Sequence, residues 1–182
     1  MDAIIINDFF DNFHNIKDEF KKIPLLTLDE MNKKLVTKNL RPENWPGKRS
    51  DNLADTNPFF YNLIIKELTS KTNLFYNTTF NMHACVHLRL QSDNKNDNNI
   101  TGDFIHSDPC DYTLMVYLSN TNLKSGTALY SNESDEPNVM TNFVQNRAFL
   151  FKGHIRHMAI HNHGDSIENG RLTLNCFIYL KR

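Results

Sequence analysis

The sequence predicts a mainly-β protein, an antiparallel sandwich or barrel resting on an N-terminal helical layer. Two observations carry this expectation. Up to Lys71, apolar residues recur at helical spacing. Beyond it, short runs rich in Val, Phe, Tyr, Leu and Thr are separated by clusters of Asn, Asp, Ser and Gly. At 182 residues the chain fits one domain, 1–182, with 1–70 as helical support and 71–182 as the β-sandwich core.

The elements follow in order. Residues 3–6, Ala-Ile-Ile-Ile, read as a short strand. Phe9, Phe13, Ile16 and Phe20 then mark one face of a helix, with Asp8 as a cap and Pro24 just past the end. Leu25 to Leu40 fits either helix or strand. Residues 41–58 are polar and turn-rich, and include the aromatic-basic run Trp45-Pro46-Gly47-Lys48-Arg49-Ser50. Asn57-Pro58 is a helix start, a capping side chain followed by proline at the first helical position. Phe60, Leu63, Ile64 and Leu68 supply the buried face of that helix. Strands are expected at 74–80, 83–91, 113–118, 127–130, 147–151 and 172–180, with a further extended run from His157 to Ile160. The polar segment 92–103 is either a lid or an inert insertion.

Composition narrows the function classes. The net charge of -1 gives no reason to expect an obligatory nucleic-acid partner. The three cysteines, Cys85, Cys110 and Cys176, form no disulfide framework and no paired-cysteine knuckle, which points to a reducing cytoplasm. The first residues lack a basic region and a long apolar stretch, so no signal peptide and no membrane span are expected.

His106-Ser107-Asp108 is the segment that points to chemistry. Two side chains two residues apart on a strand face the same way, so this imidazole and carboxylate can share one metal ion. The alternative is a surface turn at Asp108-Pro109. A third ligand must come from a histidine on a strand packed beside 106–108. His157, opening an extended run after the Gly153 turn, is the first choice, and His154 in the turn is the second. Two histidines and one carboxylate leave coordination positions open, as non-haem Fe(II) oxygenases require. A rival set, His161, His163 and Glu168, resembles part of a cupin metal motif, but Ile155 and Asn175 stand where its glycines would be.

Arg171 and Thr173 share a face of the last strand, and an arginine fork suits a carboxylate. The alternative is a solvated edge arginine paired with Glu168 or Asp165. Thr113 and Tyr117 share a face of another strand and can hydrogen-bond an organic acid. In Ser125-Gly126-Thr127 the glycine permits close backbone approach. Arg89 is a further pocket candidate.

In this order, His106-Ser-Asp108, Thr113 to Tyr117, Ser125-Gly126-Thr127, Phe151 to His157 and Arg171-Leu-Thr173 resemble the Fe(II)- and 2-oxoglutarate-dependent dioxygenases, most nearly the prolyl-hydroxylase-like branch. The likeness covers about residues 83–182. It implies a double-stranded β-helix, a cupin-like jelly roll with N-terminal helices. It implies Fe(II) on His106, Asp108 and His157. It implies 2-oxoglutarate with its distal carboxylate on Arg171, helped by Thr173, Tyr117 or Thr113. It implies O2 as oxidant and a peptide or small-molecule substrate that is hydroxylated with release of succinate and CO2. Ser125 departs from the glycine common at that position in the family.

Overall fold

A computed structural model describes residues 3–94, 104–131 and 136–181. Ten strands and four α-helices are present among them: β1 (Ala3–Ile6), α1 (Phe13–Lys21), β2 (Leu26–Thr27), α2 (Leu28–Thr37), β3 (Lys48–Arg49), α3 (Leu53–Thr56), α4 (Pro58–Lys71), β4 (Phe80–Arg89), β5 (Tyr112–Tyr117), β6 (Asn122–Tyr130), β7 (Pro137–Phe143), β8 (Ala148–Lys152), β9 (Arg156–Ile160) and β10 (Arg171–Leu180). They form a seven-stranded sheet, ordered β1-β8-β5-β10-β4-β3-β2, and a three-stranded sheet, ordered β7-β6-β9. All pairings are antiparallel.

From β4 onward the chain alternates between the sheets: β4 in the large one, His106 bridged to the small one, β5 in the large one, β6 and β7 in the small one, then β8, β9 and β10 in alternation. That path is a double-stranded β-helix, with the helices outside it.

Strand alternation sorts the residues of the large sheet. Even-numbered residues, among them Val86, Leu88, Leu114, Leu150, Leu174 and Ile178, join one core with Phe9, Phe20, Phe60, Ile64 and Leu68 from the helical side. Phe20 and Phe60 stack there at 4.4 Å. Odd-numbered residues face the small sheet, and many are polar: His87, Arg89, Thr113, Tyr117, Arg171, Thr173 and Asn175 are all buried. A polar interior costs desolvation unless its groups are paired or serve a ligand.

The helix starts have local causes. Asn57 Oδ1 accepts the Phe60 N–H and Pro58 follows, so α4 begins where the dipeptide predicts. In α2, Thr27 and Glu30 form a reciprocal capping box, which resolves the ambiguous 25–40 stretch as a two-residue strand and a helix.

Four expectations are corrected. Asp8 does not cap α1: it sits in a turn at φ 50, and the helix starts later, with Asn12 before it. Residues 74–80 are not a strand, because a 3-10 turn at Asn73–Phe75 and Asn77 at φ 57 delay β4 until Phe80. The edge strand β7 was not foreseen; it opens on Pro137, which has no N–H to give a ladder, and most of its residues are exposed. Besides the expected strand at residues 3–6, two short strands, β2 and β3, from the first 70 residues join the large sheet, so this part adds more to the sheet than one strand. The segment 92–103 lies largely outside the described residues.

Candidate metal centre

Backbone pairing brings His106, Asp108 and His157 together. His106 and His157 form an antiparallel bridge at the edge of the small sheet. Asp108 N–H donates to the Gly153 carbonyl at 2.8 Å. That approach requires a glycine, since a Cβ at Gly153 would lie 2.3 Å from the Cys110 carbonyl oxygen.

One ligand atom from each of the three residues lies within 4.8 Å of the other two. His157 Nε2 is 3.4 Å from Asp108 Oδ2, and His106 Nε2 is 3.9 Å from Asp108 Oδ1. The other ring nitrogens are tied down. His106 Nδ1 lies 2.9 Å from the Phe104 carbonyl and His157 Nδ1 lies 2.9 Å from the Ile155 carbonyl. A carbonyl only accepts, so each Nδ1 carries the proton and each Nε2 keeps a lone pair. Thr113 Oγ1 donates to Asp108 Oδ2 at 2.7 Å, which fixes the carboxylate.

Electrostatics favour the metal-binding forms. Burial acts to raise the Asp108 pKa, but His157, when its ring is protonated and its Nε2–H donates to the carboxylate, outweighs it together with Thr113 and His106 and holds the carboxyl below its ordinary range. Burial, and then the neighbouring His157, lower the His106 pKa. The donor set, one carboxylate and two imidazoles with free Nε2 lone pairs, fits Fe(II) with open positions remaining.

The rival ligands lie elsewhere. His154 is exposed and lines a separate cavity with Ala3 and Leu129. Glu168 is exposed and bonds Lys21 Nζ at 2.7 Å, while His163 packs edge-on against Phe143. Among the described residues, His106, Asp108 and His157 are the one such group of three.

Arg171 lies inside the barrel, 2% exposed, rather than on a solvated edge. Its Nη2 is 3.3 Å from the Gly126 carbonyl and 3.4 Å from Thr127 Oγ1. Its guanidinium carbon lies 5.9 Å from the Tyr117 ring centre and 5.7 Å from that of Phe143. Tyr117 donates its O–H to Thr127 Oγ1 at 2.9 Å. Burial pushes the Tyr117 pKa up, so the hydroxyl stays protonated. Thr173 is buried on the same face as Arg171, its Oγ1 donating to the His87 carbonyl at 3.4 Å. Thr113 is not part of this group; its hydroxyl serves Asp108. Thr127 is the polar partner that sequence reasoning missed. The signal was the Ser125-Gly126-Thr127 run, read only for its glycine.

Two cavities reach the triad. One, of about 150 Å³, is lined by Arg49, Arg89, His106 and Asp108 among others. The other, of about 680 Å³, extends from Asp108 past Arg49 and Trp45 to α2. The Trp45–Ser50 loop therefore lines the approach to the centre.

Fold and site together define a class: a double-stranded β-helix with two histidines and one aspartate grouped at the edge of its small sheet. No family model and no curated protein matches the sequence. Solved structures do. A prolyl hydroxylase from Trichoplax adhaerens, in complex with a hypoxia inducible factor peptide fragment, superposes with a TM-score of 0.59 at 14% identity, covering 97% of this chain and 83% of that one. The viral collagen prolyl hydroxylase of Paramecium Bursaria Chlorella virus-1, as its 2OG complex, gives 0.52 at 14% identity over 98% and 96%. The epimerase SnoN, in complex with Fe3+, alpha ketoglutarate and nogalamycin RO, gives 0.60 at 10% identity over 97% and 78%. The chain has the fold of the Fe(II)- and 2-oxoglutarate-dependent oxygenases. Among the described residues no helix is long and apolar enough to cross a membrane.

Proposed function

We propose that this chain is an Fe(II)- and 2-oxoglutarate-dependent oxygenase that hydroxylates a small-molecule or peptidyl substrate. The observation that carries this reading is the convergence of His106, Asp108 and His157 in a fold shared with iron- and alpha-ketoglutarate-bound proteins. His106, Asp108 and His157 would hold Fe(II) from one side and leave positions for 2-oxoglutarate and O2. When bound, these groups supply oxidation of a C–H bond with release of succinate and CO2.

The chain's own residues bind, orient and exclude water. Arg171 would pair with the distal carboxylate of 2-oxoglutarate, beside the hydroxyls of Tyr117, Thr127 and Thr173. Thr113 holds Asp108 in its ligating pose. Phe151, buried and packed 4.8 Å from His157 ring to ring, would shield that side of the centre from water.

The test is succinate formation from 2-oxoglutarate by anaerobically iron-loaded protein exposed to O2. Fe(II)-dependent succinate that disappears in Asp108→Ala is the expected result. Succinate formation that survives loss of Asp108 at the wild-type rate overturns the reading.

A further inference from the structure

We propose that Arg49 is a specificity-determining residue that grips a carboxylate of the primary substrate, with Trp45 and Phe177 flanking the substrate's apolar remainder. This rests on the oxygenase reading for what counts as the primary substrate, but the binding site itself stands on separate observations.

The first is position. Arg49, Trp45, Phe177 and Asp108 line both cavities that meet at the centre. Arg49 and Asp108 thus share the outer cavity of about 680 Å³, a size that suits a small organic molecule. A group held on Arg49 would lie in a cavity that Asp108 and His106 also line.

The second is a guanidinium with an enclosed, unbonded N–H and no salt bridge. The Nε of Arg49 is fully enclosed and has no hydrogen-bond partner. Among the described residues no carboxylate forms a salt bridge with it: Glu43 and Asp108 act on it only through space, and the acids nearby bond elsewhere. Glu43 Oε2 accepts the Trp45 indole N–H at 2.6 Å. Asp51 is paired with Lys34. Asp108 belongs to the histidines and Thr113. Arg49 rests instead on the Trp45 ring, 4.8 Å from its centre. Burial pulls its pKa below the ordinary arginine range, the mark of a cation that an incoming anion would stabilise. Cations gather on this side of the barrel: burial first, then Arg49, Arg89 and Arg171, hold the His87 pKa well below its usual value.

The third is rigidity. Arg49 is paired across β3–β4 with His87. His87 Nε2 holds the Pro46 carbonyl at 2.7 Å. Gly47 turns at φ 87, where a Cβ would lie 2.3 Å from the Leu88 carbonyl oxygen. The loop is therefore set before any ligand arrives, which reduces the ordering cost of binding. A planar, always-charged fork of this kind matches a carboxylate better than an ammonium would.

The experiment uses Trp45, the chain's one tryptophan, as reporter. Its emission is followed while metal-free protein is titrated with free amino acids and short carboxylic acids, each alongside its primary amide. A second series uses blocked peptides bearing Asp or Glu against Asn or Gln. The series that responds tells a free acid from a peptidyl one. The expected result is at least one acid bound about tenfold or more tighter than its amide, with that preference lost in Arg49→Gln. Arg49→Lys keeps the charge without the fork, so it should bind more weakly but still prefer the acid; it decides the matter if Arg49→Gln does not fold by circular dichroism. Equal binding of acid and amide, no response to any acid, or an acid preference surviving in Arg49→Gln each overturns the proposal. Arg49-dependent binding without Fe(II)-dependent succinate would leave this site standing and remove the oxygenase reading.

Discussion

His106 and His157 exchange both backbone hydrogen bonds: His106 N–H donates to the His157 carbonyl at 3.0 Å, and His157 N–H donates to the His106 carbonyl at 2.7 Å. Directly opposed residues in an antiparallel pair project from the same face. The bridge therefore sets the two imidazoles side by side, with ring centres 4.4 Å apart, and Asp108 returns to that face two residues later. The centre is built by strand pairing, and side-chain hydrogen bonds only trim it.

Thr113→Val should weaken metal binding about tenfold, within the range of about 10–100-fold for losing a group that orients a ligand. Thr113→Ser should restore most of it, since the serine hydroxyl can still donate to Asp108 Oδ2. Calorimetric titration with Mn(II) reads both variants. Equal affinities in Thr113→Val and wild type would remove Thr113 from the centre.

Arg171→Ala should raise the Kd for 2-oxoglutarate by about 30-fold or more, roughly 2 kcal/mol, the low end for truncating one partner of a buried charge pair. Arg171→Lys should not rescue it fully, because the ammonium lacks the fork. Equilibrium dialysis on Mn(II)-loaded protein gives the number. An unchanged Kd would sink the assignment of Arg171.

Much of this site could be read from residue order. Asn57-Pro58 marked α4, and the spacing of His106 and Asp108 put both on one face. Other features depend on what lies across the barrel. Thr113 and Tyr117 share a face of β5, yet one serves Asp108 and the other Thr127, and nothing local separates the two cases. Arg171 and Glu168 are neighbours in the chain, but the arginine turns inward and the glutamate finds Lys21. The edge strand β7 has little apolar alternation because its first four residues are exposed on both faces. Asn77 shifts the start of β4 through a left-handed backbone that asparagine permits but does not require.

Stability should fall in acid. Burial depresses the His87 pKa well below 6.5 in the folded protein, whereas the unfolded chain regains the ordinary value. Unfolding below about pH 6.5 therefore takes up a proton, and stability drops as the pH falls from there, by up to about 1.4 kcal/mol per pH unit for this group. Above that pH the effect is absent. Urea unfolding at pH 7.5, 6.5 and 5.5 should show this decline, and His87→Gln should lessen its slope. Identical slopes in the two proteins would assign the acid sensitivity elsewhere.

Phe20→Ala should cost about 3–5 kcal/mol, because it removes a fully buried ring stacked on Phe60 between α1 and α4. Chemical denaturation followed by circular dichroism measures it. A loss below about 1 kcal/mol would mean that the helical layer adds little to the sheet it covers.

The most direct measurement is the stoichiometry and affinity of Mn(II), an oxygen-stable stand-in for Fe(II), in wild type, His106→Ala, Asp108→Ala and His157→Ala. If the three residues hold one metal ion, wild type binds about one equivalent and each folded variant loses that binding. One equivalent bound at wild-type affinity by any of the three variants would contradict the assignment.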